Sequence, residues 1–170
     1  ERTQEKLEEL ILRNDILILC GGISMGKKDF IPSVLNALRF TCHFHGIAQK
    51  PGKPMGFWSN AACSVFALPG NPLSTLTCLH HYVLPALYSS MGLCAPTTPQ
   101  TVTLSANAKV RQDLTVFLPV ALGPKNSADP SPTQNSGDLA RILDSDGYIA
   151  VPKGDAQAEE GESYIFYPWH

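Results

Sequence analysis

Ile16 to Phe40 reads ILILCGGISMGKKDFIPSVLNALRF, and its three parts decide the fold. Ile16–Cys20 is an unbroken apolar run of strand length, which suits a strand buried on both faces of a parallel sheet. The glycine-rich stretch from Gly21 to Asp29 follows it directly as a loop. Beyond it Val34, Leu35 and Leu38 recur at helical spacing, with Pro32 tolerated in the first turn. Strand, glycine loop and helix make one half of a doubly wound α/β unit.

The pattern extends to both sides. Leu7, Leu10 and Ile11 lie between charged residues, so Glu5–Arg13 reads as an amphipathic helix that Asn14 and Asp15 end. Ser64–Leu68 is a second apolar strand, and it runs into the stiff turn Pro69-Gly70-Asn71-Pro72. A helical stretch from Pro72 to Ser90 follows, with Leu73, Leu76, Leu79, Val83 and Leu87 along one side and Pro85 expected to kink or interrupt it. Composition then changes: GLCAPTTPQ, Gly92–Gln100, reads as a linker. After it the partly alternating runs TVTLSANAKV, TVFLPVAL, GYIAVP and SYIFYP read as β-strands of a small barrel or sandwich. The stretch GPKNSADPSPTQNSGD interrupts them as a long polar loop. The expected organisation is α/β, a partial doubly wound sheet with flanking helices over residues 1–93, a linker over 94–100 and a small all-β domain over 101–170.

Composition narrows the function. A formal net charge of -2 over 170 residues argues against a nucleic-acid partner, since neutralising phosphates needs a basic face. No apolar run approaches the ~20 residues that cross a bilayer, so no membrane role is expected. The five cysteines, Cys20, Cys42, Cys63, Cys78 and Cys94, form no CxxC pair, so buried reduced thiols in a cytoplasmic protein are expected. The chain begins with Glu1 and shows no signal-peptide pattern, which suits a processed product or an excised piece.

Three turns hold the candidate chemistry. In the first, Gly21, Gly22 and Gly26 permit a backbone that approaches a ligand closely, and a glycine loop at the end of a strand is where α/β sheets bind phosphorylated ligands. Ser24 offers a hydroxyl there. Asp29 suits either a divalent metal or the N-cap of the next helix. In QKPGKPMGFW, Gln49–Trp58, prolines and a glycine frame Lys50 and Lys53, either as a plain basic turn or as a rigid anion cradle ending at Pro54. In LPGNPLS, Gly70, Asn71 and Ser74 either cap a helix or hold an anion at its positive end. His43/His45 and His80/His81 lack zinc-site spacing and read as structural, while Phe57 and Trp58 read as core.

GGISMGKKDF, KPGKP and LPGNPLS, in this order, resemble the MoeA family of molybdopterin molybdenumtransferases, which includes the gephyrin E domain. The later stretch TQNSGDLARILDSDGYIAVPKG is similar to that family's last β-domain. The resemblance implies a role late in molybdenum-cofactor synthesis. It implies adenylylated molybdopterin and molybdate as substrates, release of AMP, Mg2+ or another divalent metal, and a homodimer as the full-length protein. It also implies that Lys50, Lys53, Pro54, Ser74 and Ser136 bind molybdate or substrate. By the same resemblance Asp29 serves activity and metal, and Gly21, Gly22 and Ser24 cradle the substrate. The chemistry agrees, because compact ammonium groups and hydroxyls on rigid turns suit a tetrahedral dianion.

The departures matter as well. Lys27 stands where the family has an acidic residue, Gly46 where it has a basic one, and Pro119 where it has an arginine, with Arg111 displaced upstream. The family's TG-(D/S)-E-L motif and two earlier domains are not in this chain. The expectation is therefore the C-terminal part of a longer enzyme, inactive alone, with a non-catalytic pterin- or anion-binding or scaffolding module as the alternative.

Overall fold

The computed structural model describes residues 2–23, 30–94, 100–131 and 142–169. The chain gathers into two compact units: residues 1–47 with 52–71, and residues 48–51 with 72–170.

The first unit is a four-stranded mixed sheet under two helices. Its elements are α1 (Arg2–Ile11), β1 (Ile16–Cys20), α2 (Ile31–Ala37), β2 (Thr41–His45), β4 (Gly56–Ser59) and β5 (Ser64–Leu68), in the sheet order β1-β5-β4-β2. β1 runs parallel to β5, in register from Ile16↔Ser64 to Cys20↔Leu68. β4 is antiparallel to β5, and β2 is antiparallel to β4 with a bulge between Cys42 and Phe44. Leu7 of α1 and Ile31 and Leu35 of α2 close over Leu17, Trp58, Val65 and Ala67 to make the core. Asn14 ends α1 as its spacing predicts, its Nδ2 donating to the Leu10 carbonyl at 2.8 Å.

Two expectations change here. β1 is not buried on both faces: it is the edge of the sheet, Leu17 alone of its five residues is buried, and Ile18 is 42% exposed. An unbroken apolar run marks a strand but does not say how many neighbours it has. The thiols are not all buried either. Cys63 and Cys78 are, whereas Cys20, Cys42 and Cys94 are exposed, the first two on the edge strands β1 and β2.

The second unit is a closed β-barrel with a helical segment against its outside. Its strands are β3 (Gln49–Lys50), β6 (Gln100–Leu104), β7 (Ala108–Lys109), β8 (Thr115–Leu122), β9 (Ser127–Pro130), β10 (Gly147–Val151), β11 (Gln157–Ala158) and β12 (Ser163–Pro168). The order β10-β12-β6-β9-β8, closed by pairing of β10 with β8, leaves the ring without a free edge. Alternation fills it: Val116, Leu118 and Val120 of β8 face the inner core with Val102, Leu104, Ile149 and Phe166. Phe117, on the other face, meets Tyr148 and Trp169.

The polar loop after β8 is not wholly a loop. Ser127–Pro130 is β9, paired with both β6 and β8, and its Ala128 is fully buried in the barrel core. A four-residue strand with one apolar side chain leaves no alternation to read. Pro119 is tolerated in β8 because its carbonyl points away from β10 and accepts from Ser131 N at 2.8 Å. Its missing N–H falls on the same side, where the partner of β8 changes from β3 to β9.

The helical segment is α3 (Pro72–Cys78), a π-helical turn (Leu79–Val83) and α4 (Leu84–Ser90). Pro85 does not break it. Its ring would clash with the carbonyl four residues back, and the π turn absorbs this, with Leu84 N–H donating to Leu79 O five residues back. Of the expected stripe Leu73 and Val83 are buried, while Leu76, Leu79 and Leu87 are half-buried and Ser74, Thr77 and Cys78 complete the buried face. His81 lies among Phe117, Tyr148 and Tyr167, and this burial lowers its pKa.

Candidate functional site

In the first unit, parallel β1 and β5 end level at Cys20 and Leu68, so the loops that leave them start side by side. Gly21 N–H donates to Leu68 O at 2.9 Å. A Cβ on Gly70 would lie 3.4 Å from the Gly21 Cα, so the two glycine turns touch backbone to backbone. Gly21 and Gly22 both have positive φ, 87° and 70°, and a side chain at Gly22 would press Ile31 of α2 at 3.2 Å. Here glycine is what the geometry requires. His45 fixes the same loop from β2, its Nε2 donating to the Ile23 carbonyl at 2.8 Å.

The stretch containing Lys53 is held by its backbone. Gly46 N–H donates to Met55 O at 2.8 Å, and Ile47 N–H to Lys53 O at 2.8 Å. Met55 N–H returns to Gly52 O at 3.1 Å. Met55 is fully buried, Gly52 has φ 96°, and Lys53 itself is exposed. Gly46, one of the departures, has φ 97°, so its backbone asks for glycine and would strain a basic residue. Trp58 is buried in the core, as its sequence context predicts.

Lys50 belongs to the second unit and is held differently. It sits on β3, whose two residues pair in parallel with Thr115 and Val116 of β8, and Thr115 N–H donates to Ala48 O at 3.0 Å. Gln49 beside it is 1% exposed. Its Nε2 donates to Pro51 O at 3.0 Å and to Cys78 Sγ at 3.7 Å, and its Oε1 accepts from the Tyr82 hydroxyl. Burial pushes the Cys78 thiol up to about 12, and burial followed by the neighbouring Cys78 pushes the Tyr82 phenol up to about 12. Lys50 is exposed, and the Lys50–Pro51 peptide is cis.

The remaining predicted residues fall as follows. Asn71 is half-buried ahead of α3, and Ser74 is buried within the first turn of α3. Pro54 is half-buried next to Lys53. Ser24 and Asp29, and Lys27 among the departures, lie outside the described residues, as does Ser136. Among the described residues no cluster of three or more His, Cys, Asp or Glu could hold a metal ion. No helix among them is long and apolar enough to cross a membrane. Arg111 pairs with Asp113 on the surface, at 2.9 and 2.7 Å. Gln49 and Tyr82 are the two residues at the lysine turn that sequence reading missed. The available signal was a lone amide directly before the first proline-framed lysine.

Residues 1–89 match the family described as "Probable molybdopterin binding domain", and residues 101–169 match the "MoeA C-terminal region (domain IV)". A molybdopterin molybdenumtransferase of Synechocystis is 40% identical over 160 residues, which is 91% of this chain and 38% of that protein. The molybdenum cofactor synthesis protein cinnamon of Drosophila melanogaster is 46% identical over 92 residues, 54% of this chain and 15% of its own length. Among solved structures, a molybdopterin biosynthesis MoeA protein from Pyrococcus horikoshii matches with a TM-score of 0.82 at 28% identity, covering 100% of this chain and 41% of that one. The chain therefore spans well under half the length of these relatives. With its two matches in that order, and the first taking in more than half of its residues, the chain belongs to the MoeA family of molybdopterin-binding proteins.

Proposed function

We propose that this chain forms part of a molybdopterin molybdenumtransferase, which inserts molybdate into adenylylated molybdopterin and releases AMP. The observation that carries this reading is the contact between Gly21 and Gly70 at the carboxyl ends of parallel β1 and β5. Glycine turns at such strand ends let the backbone approach a phosphorylated ligand closely, because no Cβ stands in the way. The curated name of the Synechocystis relative supports the same assignment.

In this reading Gly21, Gly22, Gly70 and Asn71 cradle the substrate, joined by Ser24. The Lys50 and Lys53 ammonium groups face the molybdate dianion, with Pro54 stiffening their turn, and Ser74 and Ser136 supply hydroxyl donors. Departure of AMP leaves charge to be compensated, which positioned cations do without a strong nucleophile. Asp29 is the residue assigned to activity and to Mg2+. The domain division, with a linker over residues 94–100, belongs to the same reading. So do a cytoplasmic location, a full-length homodimer and inactivity of this chain alone.

The test is molybdate-dependent AMP release from adenylylated molybdopterin. The full-length parent is expected to turn over, its Lys50→Ala variant to lose most activity, and this chain alone to show none. Robust turnover by the chain alone would sink the idea that it is a part. A non-catalytic pterin- or anion-binding module is the second reading, favoured by Gly46, whose φ of 97° asks for glycine where the family has a basic group. Full rescue of a molybdenum-cofactor-deficient strain by the parent would exclude it.

A further inference from the structure

Lys50 carries its charge on an exposed side chain, yet its backbone is pinned on both sides. Before it, Ala48 O accepts from Thr115 N at 3.0 Å, and β3 pairs with β8 for only two residues. After it comes Pro51, which has no N–H and offers the chain one polar group, its carbonyl. That carbonyl accepts from Gln49 Nε2 at 3.0 Å, so the side chain before the lysine reaches past it to the residue after. The amide has one orientation that satisfies its surroundings. Its two N–H groups go to Pro51 O and Cys78 Sγ, and its oxygen takes the Tyr82 hydroxyl. Turning it over would set Oε1 against Pro51 O, two acceptors face to face. The Pro51 carbonyl, which only accepts, therefore sets the direction of the amide, and Tyr82 anchors the amide oxygen from the π-helical turn.

We propose that Gln49 and Tyr82 are positioning residues for Lys50: a hydroxyl–amide–carbonyl relay, buried at Gln49 and half-buried at its two ends, that ties the lysine's base to the π-helical turn. It rests on the reading of Lys50 as an oxyanion-binding group. The relay supplies order before the anion arrives, so binding does not have to bear that cost. Burial raises the Tyr82 phenol to about 12, which keeps its proton on the donor through the neutral range.

The test uses the 170-residue chain, labelled with 15N, with Gln49→Met and Tyr82→Phe as variants. Amide relaxation at Lys50 reads the relay without any ligand. In both variants the Lys50 order parameter is expected to fall from about 0.85, rigid, towards 0.6 or below, while amides in β10 and β12 keep theirs. Titration with molybdate alone is expected to show roughly five- to tenfold weaker binding in each variant. Adding Gln49→Met to Lys50→Ala should then cost nothing further. A Lys50 amide as rigid in both variants as in the parent overturns the proposal, whatever the affinities. So does a Gln49→Met loss that persists undiminished in the Lys50→Ala background, because the residue would then act elsewhere. If Lys50→Ala binds molybdate as well as the parent, the oxyanion reading is what fails, and the amide order alone decides the relay. Should Gln49→Met lose its dispersed spectrum, Tyr82→Phe, which removes a single hydroxyl, gives the same readout.

Discussion

Lys50 and Lys53 stand three residues apart in one proline-framed turn, yet they belong to different compact units and are fastened by different chemistry. Lys53 is held by a neck of backbone hydrogen bonds from Gly46, Ile47 and Met55, and the Met55 side chain is an apolar plug, fully buried. Lys50 hangs on a buried polar side chain, Gln49, which is satisfied in turn by Tyr82, Cys78 and the Pro51 carbonyl. An apolar plug can be exchanged for another of similar volume, whereas a polar relay fails as soon as one member is lost. The two halves of the turn should therefore break in distinguishable ways.

The largest effect belongs to the apolar plug. Met55→Ala removes a fully buried side chain two residues after Lys53, and urea unfolding should show a loss of about 2–5 kcal/mol. Met55→Leu should recover most of it, because volume rather than polarity is what the position needs. Stability unchanged by Met55→Ala would mean that the neck is held by its backbone bonds alone.

The relay comes next. Gln49→Leu keeps the bulk but removes the partner of the half-buried Tyr82 hydroxyl and Pro51 carbonyl, at a cost of about 1–2 kcal/mol. Pairing it with Tyr82→Phe should return part of that loss, since one orphaned group goes with its partner. Strict additivity of the two changes in urea would count against their being one unit.

What the sequence made legible follows the same division. The barrel strands announce themselves as short apolar runs such as TVFLPVAL set between polar stretches, and the glycine turns do so because Gly21 and Pro69-Gly70 close apolar runs. β3 and β9 were not legible. They have two and four residues, and their place is set by pairing with β8 rather than by any pattern of their own. The relay was hidden for a related reason: Gln49 stands beside the lysine turn, but its partner Tyr82 is 33 residues away and belongs to no motif. Periodicity shows what a segment does with its own neighbours, and long-range hydrogen bonds leave no such trace.

A smaller effect should come from the neck at Gly46. Its φ of 97° is open to glycine, and Gly46→Ala should cost about 1–2 kcal/mol through backbone strain. The new Cβ would meet only the Lys53 carbonyl, at 3.8 Å, so the loss should appear without a packing change elsewhere. Equal stability of the two proteins would show that the neck relaxes freely, and the contrast between the two lysines would narrow.

The subtlest distinction is in alkaline solution, where only one half of the turn has a buried acid. The Tyr82 phenol is raised from 10.0 to about 12 in the folded chain, first by burial and then by Cys78. Below pH 10 it is neutral in both states and adds no slope. Between 10 and about 12 the unfolded chain gives up this proton while the folded chain keeps it, so the unfolded state binds fewer protons and stability falls as pH rises. Tyr82→Phe removes that contribution, and its urea midpoint should decline less steeply than the parent's across this window. Gly46→Ala, acting on the half without a buried phenol, should start lower near neutrality and then fall parallel to the parent. If Tyr82→Phe instead kept the parent's slope, the phenol would have to ionise as readily folded as unfolded. That would mean water reaches the relay and that Gln49 holds Lys50 no more firmly than the backbone neck holds Lys53.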